Sequence, residues 1–315
     1  MEVLTRVDDD RIAAQRQRDE FFWLDLYQPE PAELDELGRL LHLHPIALED
    51  TKEFGQRPKV DTYEDNLLVV FYTARVTENP DRVVEPVEVH VYVSGGYIVT
   101  IRHDKCTLLD EMHTTLVPEK THNEDYLVYR IFDSLTDAFY PAIEALEKRL
   151  DALEAQVLAR ARPEQRPHIY RLRQDIRELH RLVSAQRDQF HAVAESMRSL
   201  AGLSRGSREY LRDVGDHLVQ VAGEFQRQID DLQALTGTYF AANSDRLNAV
   251  ATRITIAGTL FLAWTLVTGF FGQNFGWLVN HINGFHHFLI FGVGGLVVPT
   301  VVLLGLFWLK RHDWF

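Results

Sequence analysis

The chain has 315 residues, with 46 Asp and Glu against 33 Lys and Arg, for a formal net charge of -13. That acidic surplus argues against a nucleic-acid partner and is compatible with cation binding, although acidic side chains also serve simply to solvate a surface. The length allows two domains, or one domain plus a membrane segment, and the single cysteine, Cys106, excludes an intrachain disulfide and suits a reducing compartment.

Residues 1–20 are polar, and their start is expected to be poorly ordered. The first thirty residues lack the apolar core of a signal peptide, so the N-terminal body is expected to stay in the cytosol. Phe21–Leu26 reads as a short strand with a buried aromatic face. Leu34, Leu37, Leu40 and Leu41 follow helical spacing over 32–41, and Pro45 opens a second short helix to Thr51. The pattern breaks at Arg57-Pro58-Lys59-Val60. Strands are expected over Asn66–Thr73, Val87–Val93 and Tyr97–Ile101, with Ser94-Gly95-Gly96 as a hairpin signal between the last two. This order predicts an α+β cytoplasmic domain over 1–120, a small mixed sheet flanked by helices.

Apolar residues from Leu127 to Leu153 recur at three- and four-residue steps, with Pro141 marking a kink or a join between two helices. Pro163 and Pro167 break the chain, and Ile169–Leu200 reads as another amphipathic helix, completing a helical segment over 121–206. A last helix starts near Ser207 and meets no proline before Gly272. Its first part, a stalk over 207–253, runs directly into an apolar stretch. Unbroken, it would extend about 100 Å at ~1.5 Å per residue, and its apolar stripe needs neighbours, either the preceding helices or other copies of the chain.

Residues 254–315 read as a two-span transmembrane domain. Ile254–Phe271 is apolar over roughly 27 Å of helix, and Phe288–Leu309 over roughly 33 Å without a charge, enough to cross a bilayer core. The link Gly272–His287 holds no Lys or Arg, whereas Arg246 and Arg253 precede or open the first span and Lys310-Arg311 follows the second. Basic residues mark cytoplasmic ends, so both termini are expected inside and the Gly272-Gln273-Asn274 turn outside. Trp277, Trp308 and Trp314 suit the bilayer interface, whereas Trp264 lies deep enough to pack.

On the first span, Asn248, Ala251 or Thr252, Thr255, Ala257 to Thr259, Leu262, Thr265 or Leu266, and Gly269 form a small-or-polar stripe. A threonine in such a helix also commonly bonds its own preceding carbonyl. Asn248 carries more weight, because an amide facing lipid at a span boundary is costly. The outer link holds His281, His286 and His287 and no carboxylate; imidazole suits zinc, nickel or cobalt, while hydration and headgroup contact are the plainer role. No nucleophile elbow, phosphate loop or Cys/His metal spacing suggests an enzyme or a prosthetic group.

Two separated stretches resemble the CorA-type divalent-cation transporters. The first is His44-Pro45-Ile46-Ala47-Leu48-Glu49-Asp50 followed by Arg57-Pro58-Lys59-Val60-Asp61 and Tyr63; the second is the hairpin carrying Gly272-Gln273-Asn274-Phe275 and closed by Lys310-Arg311. The resemblance implies a homopentamer in the inner (cytoplasmic) membrane, with a stalk helix continuing into a pore-lining first span. It implies a selectivity filter at Gly272, Gln273 and Asn274. It also implies a pore lined by the stripe, with Asn248 and Thr265 on the axis and Ile254 and Leu262 near constrictions. In the family, cytosolic divalent ions bridge acidic side chains between subunits and hold the pore closed; Asp213 lies at the matching distance upstream of the filter, with Asp216 and Glu209 near the same face.

The family signature is Gly-Met-Asn, and Gln273 replaces the methionine here. Zinc transporters of the ZntB type are among relatives that differ at this place. The expected substrate and regulator is therefore a divalent cation, Mg2+ or a transition metal such as Co2+, Ni2+ or Zn2+. The alternatives are proton-coupled zinc uptake and a non-conducting, membrane-anchored scaffold or sensor of the same fold.

Overall fold

The computed structural model describes residues 2–79, 82–115, 124–197, 200, 207–273 and 275–309. They form two compact units, Met1–Tyr239 and Phe240–Phe315.

The first unit is built on a six-stranded mixed sheet in the order β1-β2-β6-β5-β4-β3. Its strands are β1 (Glu2–Leu4), β2 (Phe22–Tyr27), β3 (Lys59–Thr62), β4 (Leu67–Val76), β5 (Val84–Val93) and β6 (Tyr97–Arg102). β1, β2 and β6 run parallel, while β5, β4 and β3 add antiparallel pairings. Alternation along the strands divides the side chains between two cores. Trp23, Val69, Phe71, Val89, Val91 and Ile98 face one way, and Phe22, Leu24, Leu68, Val70, Tyr92 and Val99 the other.

The second core is covered by α1 (Asp9–Gln17), α2 (Pro31–Leu40) and α3 (Pro45–Lys52). Local chemistry starts each helix. Asp8 accepts the Arg11 N–H, Glu30 and Glu33 form a capping box behind Pro31, and His44 Nδ1 accepts the Ile46 N–H at 3.3 Å ahead of Pro45. The first core is covered by α4 (Thr107–Thr115), α5 (Glu124–Asp137), α6 (Phe139–Ala159), α7 (Gln165–Met197) and the start of α8 (Ser207–Phe271). Pro141 falls in the first turn of α6, so it marks a join. Along α8, Leu211, Val214, Leu218, Val221, Phe225, Leu232, Leu235 and Tyr239 are buried, with Phe225 packed edge-on against Phe139. The preceding helices thus cover the apolar stripe of α8 as far as Tyr239. The boundary expected near residue 120 falls within 116–123, outside the described residues.

Two expectations are corrected. The start of the chain is ordered: β1 pairs with β2, and Ile12 of α1 is fully buried. The polar composition hid this because a short edge strand is specified by its neighbour's hydrogen bonds, and one isoleucine gives no periodicity. Arg57–Val60 is likewise more than a break, since β3 begins at Lys59. It is an edge strand, where Lys59 bonded to Asp50 at 2.6 Å and beside Asp61 at 2.7 Å supplies the charge that discourages further pairing.

In the second unit, the end of α8 is followed by α9 (Gly276–His281) and α10 (Phe285–His287). A π-helical stretch, Phe288–Val293, then leads into α11 (Gly294–Leu309), which contains Pro299. Segments within Glu209–Phe271 and Phe285–Leu309 are long and apolar enough to cross a membrane. They meet closely. A Cβ on Gly295 would lie 3.0 Å from Val267 Cγ1, and Trp264 Nε1 donates to Thr300 Oγ1 at 2.8 Å while that hydroxyl donates to the Leu296 carbonyl at 2.7 Å. Trp264 therefore packs between spans, as its depth suggested; Trp314, Lys310 and Arg311 lie outside the described residues.

The sheet also carries a buried ion pair. Arg102 Nη2 lies 2.8 Å from Asp25 Oδ2, with the two side chains 2% and 1% exposed, and reaches Asp110 at 2.5 Å. Burial pushes the Asp25 pKa up, but its contacts with His113 and Arg102 prevail and hold it below the ordinary carboxylate range. Asp25→Ala leaves the guanidinium with Asp110 as its one carboxylate partner and is expected to cost about 3 kcal/mol, whereas Arg75→Ala, breaking the more exposed pairs with Glu85 and Asp104, is expected to cost under about 1 kcal/mol. Denaturant unfolding of the purified chain checks both. The Asp25 contribution should be whole at neutral pH and disappear as pH falls through the carboxylate range and below it, because the depressed pKa belongs to the folded state.

Candidate functional site

The second unit presents two different faces of α8. Ile256, Leu260, Ala263, Val267 and Phe271 are partly covered, and Val267 and Phe271 are the side chains that meet Gly295. Turned about 100° or more from that face at ~100° per residue run Asn248, Thr255, Leu262, Thr265 and Gly269, all exposed within the chain. Leu262 is 73% and Ile254 68% exposed, while Thr252 and Thr259 are intermediate, at the border of the covered face.

The polar members of this stripe are oriented by the backbone. Thr255, Thr259 and Thr265 donate their hydroxyls to the carbonyls of Ala251, Thr255 and Phe261 at 2.9, 2.8 and 2.7 Å. A hydroxyl has one proton to give, so each oxygen keeps only lone pairs to present outward. That is the polarity a cation's water shell needs. The Asn248 amide has no partner among the described residues.

At the end of α8, Gly272 N–H still bonds to the Thr268 carbonyl at 2.8 Å, and Gln273 N–H bonds to the Phe270 carbonyl at 3.3 Å. A Cβ on Gly272 would sit 3.0 Å from the Thr268 carbonyl oxygen, which explains the glycine. Gln273 is exposed. Asn274 lies outside the described residues.

The three histidines of the link, His281, His286 and His287, are exposed and separately occupied. His281 Nδ1 lies 2.8 Å from the Trp277 carbonyl with its ring stacked on Trp277, His286 lies beside Phe285, and His287 stacks on Phe291. Among the described residues they form no group of three or more metal-ligating atoms.

Such a group does occur in the first unit. One ligand atom each from Asp133, Asp213 and His217 lies within 4.8 Å of the others. Asp213 and His217 are one turn apart on α8, and Asp133 comes from α5. Asp133 Oδ1 is 3.2 Å from His217 Nδ1, its other oxygen accepts from Arg130 at 2.9 Å, and Asp213 accepts from the Tyr129 hydroxyl at 2.9 Å. Burial first, then repulsion from Asp133, raises the pKa of neighbouring Asp137. Burial and the hydrogen bond to Asp213 raise that of Tyr129 as well. Two carboxylates and an imidazole around an electronegative point suit a divalent cation.

Asp216 and Glu209 are exposed and outside this group. Sequence reading missed Asp133 and His217. The available signals were the Asp213/His217 four-residue spacing and a carboxylate set among the apolar positions of α5.

Comparison with known proteins bears on the whole chain. Residues 18–311 match the family model described as CorA-like Mg2+ transporter protein. The cobalt/magnesium transport protein CorA of Thermotoga maritima is 23% identical over 282 residues, covering 88% of this chain and 78% of that protein. The zinc transport protein ZntB of Photorhabdus laumondii is 26% identical over 263 residues, covering 82% of this chain and 77% of its own length. The structure of the CorA magnesium transporter from Methanocaldococcus jannaschii superposes with a TM-score of 0.80 at 21% identity, over 93% of this chain and 91% of that one, which shows a shared fold. The chain therefore belongs to the family of CorA-like Mg2+ transporter proteins, membrane proteins that carry divalent metal ions.

Proposed function

We propose that the chain assembles as a homopentamer in the inner cell membrane, with both termini in the cytosol, and conducts divalent cations inward. The observation that carries this reading is the uncovered stripe of threonine oxygens, Asn248 and small residues on α8, which leads to Gly272 and Gln273 on an otherwise apolar hairpin. A lipid-facing helix has no use for such a stripe. Copies arranged around an axis have one, because the oxygens then line water.

A small divalent ion holds its hydration shell tightly. Amides and carbonyls at Gly272-Gln273-Asn274 bind that outer shell without stripping it, and they hold it loosely enough for release. The membrane potential supplies about 4.6 kcal/mol per 100 mV for a double charge. Ile254 and Leu262 supply apolar rings that close the path by dewetting.

Cytosolic divalent ion bound at Asp213, with Asp133 and His217, favours the closed arrangement and gives negative feedback through a population shift. A second reading, zinc uptake coupled to protons, draws support from Gln273 in the signature, the imidazoles near the mouth and the relative named as a zinc transporter.

Liposome flux decides among these. Asn274→Ala is expected to reduce divalent-cation flux by about tenfold or more, the equivalent of ~1.4 kcal/mol at the filter. If wild type and variant are both indistinguishable from empty vesicles, the protein is a scaffold. Ion competition with and without an imposed pH gradient separates passive Mg2+ or Co2+ flux from proton-coupled Zn2+ uptake. For regulation, Asp133→Asn with Asp213→Asn should raise the cytosolic-side Mg2+ concentration giving half-inhibition by about tenfold. Unchanged inhibition would remove these residues from gating.

A further inference from the structure

A cavity of about 820 Å3 lies between the segment after α3, strands β4 and β5, and α7. No transport step uses it. A second concavity of about 630 Å3 adjoins it, and Glu178 and Arg181 of α7 line both.

The wall of the first cavity is constructed around Glu88, which is 8% exposed. Its two oxygens accept the Gly55 and Gln56 N–H groups at 2.6 and 3.1 Å, and they lie 2.9 Å from the Tyr72 hydroxyl and 2.8 Å from His90 Nε2. Gly55 has a φ of +98°, a conformation that favours glycine. The carboxylate thus pins the loop that carries Phe54 and Arg57. Phe54 stacks on His90 at 4.7 Å and packs against His103 at 4.0 Å with the planes tilted by 42°, and His103 is the exposed outer ring of the three.

The charges around the cavity are unevenly committed. Asp104 is engaged by Arg75 at 3.1 Å and Glu178 by Arg82 at 2.6 Å. Arg57 and Arg181, both exposed, have no ion-pair partner among the described residues, and neither does Arg177, which lies one turn before Arg181 on the same face of α7. Like charges four residues apart on a helix repel and destabilise it. On a chain of net charge -13, uncommitted guanidiniums gathered at a cavity point to an anion from outside. Guanidinium forks match phosphate oxygens. A flat imidazole backed by a phenyl ring offers a face to a planar heterocycle. The volume lies within the ~300–1,000 Å3 typical of small-molecule sites, and the adjoining concavity gives a phosphate tail room to run along α7.

We propose that this groove binds a nucleoside polyphosphate, its ring on His103 above Phe54 and its phosphates on Arg57 and Arg181. The site is independent of the pore. It draws on Arg57 and Pro58 of the sequence motif that cation conduction leaves without a role.

The test is titration of the purified full-length protein with a fluorescent ATP analogue in EDTA, which keeps divalent ions from the acidic cluster. Saturable binding is expected. Arg57→Ala and Arg181→Ala should each weaken it by about tenfold, and His103→Ala should weaken ATP by a similar factor while leaving inorganic tripolyphosphate unchanged. Unaltered elution and melting of the three variants, all at exposed positions, guard against misfolding. The proposal is overturned if binding is absent at millimolar ATP, or if the Arg57→Ala/Arg181→Ala double variant binds like wild type. It is also overturned if tripolyphosphate competes as tightly as ATP, since His103 would then have no ligand to stack.

Discussion

A polar group placed in hydrocarbon has to be satisfied by protein or by water, and the hairpin of this chain is organised by that constraint. The Trp264 indole finds the Thr300 hydroxyl, which in turn uses the Leu296 carbonyl. This pair, with Gly295 set against Val267, fixes which side of α8 belongs to the second span. Everything else follows from the rotation it sets. Thr255, Thr259 and Thr265 give their protons to the helix backbone and keep lone pairs with no partner among the described residues. The Asn248 amide has no partner among them. In lipid such groups would be a cost with no return; in the proposed assembly around a shared axis they would line an aqueous path.

The first unit applies the same electrostatic logic with opposite signs in two places. Near the start of α8, Asp133 and Asp213 lie close to one another with Asp137 beside them, and with His217 they could hold a metal ion, as proposed above. By the segment after α3, Arg57, Arg177 and Arg181 have no ion-pair partner among the described residues, while Asp104 and Glu178 are engaged by other arginines. Each region carries charge that intrachain pairing leaves unbalanced. Where pairing is complete, as between Asp25 and Arg102, the residues sit in the sheet and serve the fold.

The sequence made the architecture legible because its strongest patterns are long. Apolar residues at three- and four-residue steps in α5 to α8, a charge-free run to Leu309, and hairpin glycines between β5 and β6 each specify an element with little help from the rest of the fold. The short edge strands β1 and β3 were not legible, since pairing with β2 and β4 defines them. The site divided in the same way. The small-or-polar stripe was visible as helical spacing, and the structure leaves most of it uncovered on α8, whereas Asp213 was named only through the family resemblance. Asp133 and His217 needed the packing of α5 against α8, and no spacing within one helix could have linked Asp133 to Asp213. The groove at Arg57 was invisible for a similar reason: its ring stack joins residues 54, 90 and 103 from three elements.

The rotation of α8 is the point on which the account rests, and cysteine accessibility reads it directly. In a Cys106→Ser background, single cysteines at Thr255, Leu262, Thr265 and Gly269 should react with a membrane-impermeant thiol reagent in the assembled, lipid-embedded protein. Cysteines at Ala263 and Val267, which face the second span, should be protected. Protection of all six positions, or labelling with no dependence on helical face, would mean that the polar stripe lines no water, and the transport path described here would be contradicted.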